Sequence, residues 1–219
     1  MTAGSTQEPL DPVRYVGNRS SGKQGLALAQ AALDQGAAVT LIAGATASLP
    51  VPIGATHVDV MTAAQMQDAV LQMCRDADAL VMAAAVADFR PAQVAEHKIK
   101  KTVDATRFAL TLERTADILA AVHAARNEMQ RLRVVVGFAA ETQDLLANAR
   151  AKLAAKGLDL IVANDVSASD AGFGVDTDRV TILDHDGFAE ALPLMTKVAV
   201  AEAIVVRPYR ILTSLRSQR

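Results

Sequence analysis

Residues Gly17 to Gln24 read GNRSSGKQ, which places two hydroxyls, a lysine and two glycines close together. The run satisfies the G-x-x-x-x-G-K spacing of a phosphate loop, but Gln24 stands where that loop needs a Ser or Thr for magnesium. Taken as S-x-G-x-x-G through Ser20, Gly22 and Gly25, it matches instead the turn that opens a dinucleotide-binding helix. There, backbone N–H groups and the positive end of the helix dipole receive phosphate. Ser20, Ser21, Gly22 and Lys23 are then an anion site; the alternative is that Gly22 and Gly25 only let a helix lie close to a sheet. His97-Lys98-Ile99-Lys100-Lys101 gathers up to four cations, either a solvated basic run or a clamp for phosphate oxygens. Lys152 and Lys156 share a helix face near its C-terminal end, as a surface pair suited to the dipole would. Asp88 follows the apolar run VMAAAVA, placed to bind ribose hydroxyls or a metal, or to cap a turn. His57, His123 and His185 show no ligand spacing and no nucleophile motif, which sets aside zinc and hydrolase chemistry and leaves metal ligands unassigned.

These residues need a scaffold that gathers strand ends and helix starts. Short Val/Ile/Leu-rich runs at Ala38–Gly44, Ala79–Val86, Val134–Ala139, Leu158–Asn164 and Arg179–Asp184 alternate with segments of helical period. Helices are expected at Ser21–Gln35, Asp117–Glu128 and Thr196–Val205. Another starts at a Thr62/Gln65 capping box, with Met66, Ala69, Val70, Met73 and Cys74 inward. A fifth runs from Thr142 to Lys156, with Leu146, Ala149 and Leu153 inward and Gly157 as its stop. The fold class is α/β: a Rossmann-like, doubly wound, mostly parallel sheet with helices on both faces, three layers αβα. Residues 88–107 and 165–178 fit neither period and form long loops at the carboxyl edge of the sheet. Thr2-Ala3-Gly4 reads as the exit of a first strand whose own residues are missing. Residues 1–207 form a single domain, and 208–219 a basic, frayed tail.

Composition narrows the partners. Apolar residues make up 51% and charged ones 21% of the 219 residues, so the chain folds rather than staying disordered. A formal charge of −2 gives no global field for nucleic acid or an anionic membrane, and 3% aromatics without Trp gives no base-stacking platform. One cysteine fits a reducing compartment, and no stretch has the length of a membrane span, so a cytoplasmic location is expected.

Four stretches together resemble the phosphopantothenate-cysteine ligase family of coenzyme A biosynthesis. They are EPLDPVRYVGNRSSGKQG at 8–25, AAAVADFRP at 83–91, KIKK at 98–101, and GFAAET with KLAAKGLDLIVAND within 137–165. The likeness runs from Thr2 to about Leu183. It implies joining of 4'-phosphopantothenate to cysteine with CTP, through an acyl-cytidylate, releasing CMP and pyrophosphate. It further implies that Asn18 hydrogen-bonds the acyl-cytidylate carbonyl and that Lys98 is the essential lysine of KIKK, with Lys101 beside it on phosphate. Met82, Ala83, Ala84 and Phe138 would surround the cytosine, and Asp88 would meet the ribose. Lys152 and Lys156 would face the nucleotide, as would Arg114, Thr115 and Ala116, the last standing where the family usually has Pro. Mg2+ would arrive with CTP; the flavin-dependent decarboxylase domain common in bacterial relatives is not in this sequence, so no flavin is expected. A homodimer is implied as well. Two rivals stand beside this reading. S-x-G-x-x-G suits an NADP-dependent reductase, although Gly44, Ala45 and Thr46 replace the acidic residue that holds an NAD ribose. The apparent lack of the first strand suits a nucleotide-binding module without catalysis.

Overall fold

Each apolar run read as a strand contains one in the computed structural model, which describes residues 1–100, 107–141, 144–165, 172 and 174–217. The chain begins with β1 (Thr2–Ala3), then β2 (Gln7–Pro9), β3 (Tyr15–Gly17), α1 (Lys23–Asp34), β4 (Thr40–Ala43), β5 (Thr56–Asp59), α2 (Ala63–Met73) and β6 (Ala79–Met82). It continues with β7 (Phe89–Pro91), β8 (Leu112–Arg114), α3 (Ile118–Ala125) and a short 3-10 turn, Arg126–Glu128, before β9 (Val134–Glu141), α4 (Leu145–Ala155) and β10 (Leu160–Asp165). Last come β11 (Thr177–Asp178), β12 (Val180–Asp184), β13 (Ala189–Ala191), β14 (Met195–Thr196) and α5 (Lys197–Ser217).

Eight strands form one sheet in the order β13-β12-β10-β9-β6-β1-β4-β5. The six from β5 to β10 are parallel and wind outward from β1 in both directions, the order of a doubly wound dinucleotide fold; β12 and β13 extend the sheet antiparallel. Alternate residues of each strand enter opposite cores, as a pleat of period two requires. Leu41, Val134, Val136, Leu160 and Val162 pack with Leu28 of α1 and Val200 and Ile204 of α5. Ile42, Val135 and Ile161 pack with Met66 and Val70 of α2, Val122 of α3, and Ala149 and Leu153 of α4. Each fully buried branched side chain contributes roughly 1.5–3 kcal/mol against exposure, so this double core fixes the sheet that carries the site.

The structure departs from the sequence expectations in several places. The first strand is present as Thr2–Ala3, paired in parallel with β4 and β6 at the centre of the sheet. Leu146 is exposed rather than inward, because Leu145, Ala149 and Leu153, spaced four apart, form the buried stripe of α4. The proposed start of that helix, Thr142, lies outside the described residues, and Asp144 precedes Leu145. The segment beyond Arg207 is helical through Ser217 and not a frayed tail: Ile211 and Leu212 pack on the α1–α5 core and carry the helix past Pro208. The loop at 88–107 starts in a hairpin, since Phe89–Pro91 pairs antiparallel with Leu112–Arg114. The Thr62/Gln65 capping box is formed as expected, and Cys74 is buried. No described helix is long and apolar enough to cross a membrane.

Candidate functional site

A cleft of about 650 Å³ opens at the carboxyl ends of β6, β9 and β10, beside the start of α1. This is where winding reverses between β1 and β6, the place where such sheets leave a crevice for ligands.

One corner is the N-terminus of α1. Gly22, at the N-cap, has φ 79°, a left-handed conformation that glycine adopts without steric cost. The first N–H groups of α1 have no intrahelical partner and face this corner with the positive end of the dipole. Gly25 lets the helix lie against β1: a Cβ there would come 2.5 Å from Ala3 Cβ and 2.9 Å from the Thr2 carbonyl oxygen. Ser20, Ser21 and Lys23 line the same corner, and Lys23 Nζ reaches Asp176 Oδ1 at 2.6 Å. The Lys23 ammonium holds the Asp176 carboxyl below the usual carboxylate range.

The floor is the backbone that leaves β6, and buried threonines from the start of the chain fix it. Thr2 Oγ1 accepts from Ala84 N–H at 3.0 Å, and Thr6 Oγ1 accepts from Ala87 N–H at 2.8 Å. From the other side, Thr115 Oγ1 donates to the Ala87 carbonyl at 2.6 Å. Asn18, at the end of the β2–β3 hairpin, donates from Nδ2 to the Val86 carbonyl at 3.0 Å, which spends one of its two amide hydrogens and leaves the second.

The wall opposite is α4. Lys152 Nζ donates to the Phe138 carbonyl at 2.8 Å, and Lys156 Nζ pairs with Asp117 Oδ2 at 2.5 Å. Burial acts to raise the Asp117 carboxyl, but the Lys156 hydrogen bond, the Ala120 N–H and the charges of Lys156 and Lys152 together bring it below the usual carboxylate range. Asp117 also caps α3, accepting from Ala120 N–H at 2.9 Å.

The cleft therefore brings together Asn18, Ser20, Ser21, Gly22 and Lys23 with Met82, Ala83, Ala84 and Asp88, and also Arg114, Thr115, Ala116, Phe138, Lys152 and Lys156. The expectation that Lys98 shares this cleft is not met within one chain. Lys98 is exposed and forms no part of the wall, because the backbone of Ile99 is held on the β2–β3 hairpin by Asp11 and Arg14. Lys101 lies outside the described residues. Sequence reasoning missed five polar residues of the cleft: Gln24, Asp117, Asn164, Asp178 and Lys197. Gln24 Oε1 and Asn164 Oδ1 are buried without a hydrogen-bond partner among the described residues, a costly state that a ligand donor would relieve. Lys197 and Asp178 form a buried pair at 2.5 Å that also grips both sides of Gly172. The one legible signal was Asn164, a polar residue closing the apolar run LIVAN.

Residues 1–210 match the family described as DNA/pantothenate metabolism flavoprotein C-terminal domain. The chain belongs to that family. It is 51% identical over 211 residues to the coenzyme A biosynthesis bifunctional protein CoaBC of Mycobacterium tuberculosis H37Rv, covering 94% of this chain and 50% of the relative. It is 49% identical over 206 residues to the CoaBC of Bacillus subtilis 168, covering 94% and 49%. The chain thus spans about half the length of the curated relatives it matches. A crystal structure of the C-terminal domain of a CoaBC superposes with TM-score 0.79 at 38% identity, covering 97% of this chain and 94% of that one.

Proposed function

We propose that the chain is a CTP-dependent phosphopantothenate-cysteine ligase of coenzyme A biosynthesis, working in the cytoplasm. One observation carries this: the anion corner at the start of α1, Asn18, and the Lys152–Lys156 face of α4 all open into one cleft at the switch point of the sheet. Membership of the family supports the substrate assignment.

The reaction divides into two displacements. The carboxylate of 4'-phosphopantothenate attacks the α-phosphorus of CTP, giving an acyl-cytidylate and expelling pyrophosphate. The neutral amine of cysteine then attacks the acyl carbon, forming the amide, losing a proton and expelling CMP. No step is a redox step, so none calls for a flavin. Charge builds on phosphate oxygens in the first displacement, where the α1 N-terminus and Lys152 supply positive potential and Lys23 and Lys156 would exchange Asp176 and Asp117 for phosphate oxygens. In the second it builds on the carbonyl oxygen, where the remaining amide hydrogen of Asn18 is a ready donor. Holding both substrates across one cleft does much of the remaining work by proximity.

Among the described residues no group of three or more metal-ligating side chains occurs. Asp117 and Asp178 are committed to Lys156 and Lys197, while Asp88 has no ion-pair partner among the described residues. One carboxylate beside a triphosphate fits Mg2+ that keeps its waters and is held mainly by the nucleotide. Asp88 would be its protein contact, and the ion would neutralise phosphate charge.

The homodimer belongs to the same proposal. Tyr15, Val13, Phe89 and Leu112, on or beside the two hairpins outside the main sheet, are exposed apolar residues that a second copy would cover.

Incubation with 4'-phosphopantothenate, cysteine, CTP and Mg2+ should release pyrophosphate and CMP in equal amounts, with neither formed when phosphopantothenate is omitted. Folded protein that binds NADPH but not CTP would overturn the reading in favour of a reductase. CTP binding without turnover would reduce it to a binding module.

A further inference from the structure

The buried carboxylate of Asp11 has two oxygens with different tasks. Oδ1 accepts from the Val13 and Arg14 N–H groups, each at 2.9 Å, which closes the turn between β2 and β3. Oδ2 is not needed for that turn. It accepts from Arg14 Nε at 3.0 Å and from Arg14 Nη2, and across 88 positions of sequence from Ile99 N–H at 3.1 Å. Arg14 Nη2 in turn donates to the Ile99 carbonyl at 2.9 Å. Both peptide groups of Ile99 are therefore gripped, one by the carboxylate and the other by the guanidinium it orients. Upstream, Ala95 N–H donates to the Leu10 carbonyl at 3.0 Å, a second tie between the same hairpin and the same segment.

The two peptide planes flanking Ile99 join it to Lys98 and Lys100, so fixing them sets the directions in which those two side chains leave the chain. The same hairpin ends in Asn18, which rests on the cleft floor through Val86. We propose that Asp11 is a positioning residue: through Ile99 it ties the lysine run at 98–100 to the hairpin that carries Asn18. The tie is charge-assisted, and the Asp11 side chain is fully buried, so it has the strength to order an exposed segment. The Arg14 guanidinium and the three N–H groups hold the Asp11 carboxyl far below the usual carboxylate range despite its burial. The tie therefore persists at every pH at which the protein works. Its catalytic consequence rests on the ligase function proposed above and on the role in nucleotide chemistry that the family resemblance implies for Lys98, whereas its geometry does not.

Asp11→Asn separates the two tasks. Its side-chain oxygen still closes the turn, while the amide placed at Oδ2 turns a donor toward Arg14 and the Ile99 N–H. Asp11→Ser, whose hydroxyl closes a similar turn but cannot reach Ile99, serves as a second variant. In both, hydrogen exchange at the Ile99 amide and tryptic cleavage after Lys98 and Lys100 should accelerate about tenfold or more, the size expected for losing a charge-assisted bond. The Val13 and Arg14 amides should remain protected and the thermal midpoint should stay within a few degrees. With CTP turnover in hand, kcat/KM for CTP should fall about tenfold while KM for cysteine holds. Unchanged exchange at Ile99 in both variants overturns the tie, as does a wild-type Ile99 amide exchanging at the rate of unstructured chain. Faster exchange with unaltered CTP kinetics in an active enzyme overturns the positioning role. Wild-type protein that does not turn over CTP overturns the function proposed above and leaves the exchange result to decide the tie.

Discussion

Asn18 and Cys74 show how position decides what a polar or reactive side chain does. Asn18 stands at the cleft with one amide hydrogen bound to Val86 and the other available, so Asn18→Asp would turn a carboxylate toward an oxygen that gains negative charge. A drop in kcat of about a hundredfold is expected, the usual scale for losing one oxyanion donor, with little change in KM for CTP; steady-state pyrophosphate release checks it. Cys74, 3% exposed at the end of α2, has its thiol pushed up to about 11 by burial. It should therefore carry about a hundredfold less thiolate at neutral pH than a free cysteine and alkylate correspondingly slowly until the protein unfolds, as iodoacetamide labelling followed by mass spectrometry would show. The sign of its linkage is fixed. Between about pH 9 and 11 the unfolded chain loses the proton that the native one keeps, so stability falls with rising pH, and Cys74→Ala should flatten that fall in alkaline denaturant titrations. At this scale the sequence showed the glycine turn that opens α1 well, because Ser20 to Gly25 are contiguous and their spacing carries the geometry. It did not show Asp178 and Lys197, because their place at the cleft depends on which strand ends and helix starts meet there. Lys98 was visible by type, yet Asp11 and Arg14 decide where its backbone sits.

Among the elements, α1 has the most to do, since it packs on β1 and offers its N-terminus to the cleft. Gly25 is the point where these two duties meet. In Gly25→Ala the new Cβ would meet Ala3 Cβ at 2.5 Å, Ala3 Cα at 2.7 Å and the Thr2 carbonyl oxygen at 2.9 Å, so the helix has to shift off the strand. Overpacking of this kind costs roughly 1–3 kcal/mol. A lower melting temperature with retained helical circular dichroism is expected, together with weaker CTP binding by calorimetry, because the shifted helix no longer aims its first N–H groups at the cleft. A variant that lost stability but bound CTP as tightly as wild type would separate packing from phosphate recognition. The long apolar strands and the capped helices were legible because burial on both faces leaves uninterrupted Val, Ile and Leu runs. The edge strand β5, Thr-His-Val-Asp, and the two hairpins were not, because they lie at or outside the rim of the sheet and carry little of that pattern.

For the molecule as a whole, the two hairpins are where the fold stays unfinished. They pack beside each other outside the eight-stranded sheet and leave Val13, Tyr15, Phe89 and Leu112 between 42% and 60% exposed. Short two-stranded ribbons also leave unpaired backbone edges, which a second copy can cover together with the apolar side chains. A stable dimer would have to bury roughly 1,200–2,000 Å² in total, an area that needs both hairpins rather than one. Sedimentation equilibrium at micromolar concentration should therefore report twice the 23.0 kDa chain mass. Tyr15→Lys with Leu112→Lys, one charge on each hairpin, should shift the protein to monomer while leaving the main sheet and its two cores intact by circular dichroism. The same pair should weaken CTP turnover, because Asn18 follows β3, Asp88 precedes β7 and Arg114 ends β8, so the hairpins that would dimerise are also those that frame the cleft. A wild-type protein that stays monomeric at tens of micromolar would mean that this apolar face serves something other than self-association, and a monomeric variant with full turnover would mean that the cleft works without the dimer.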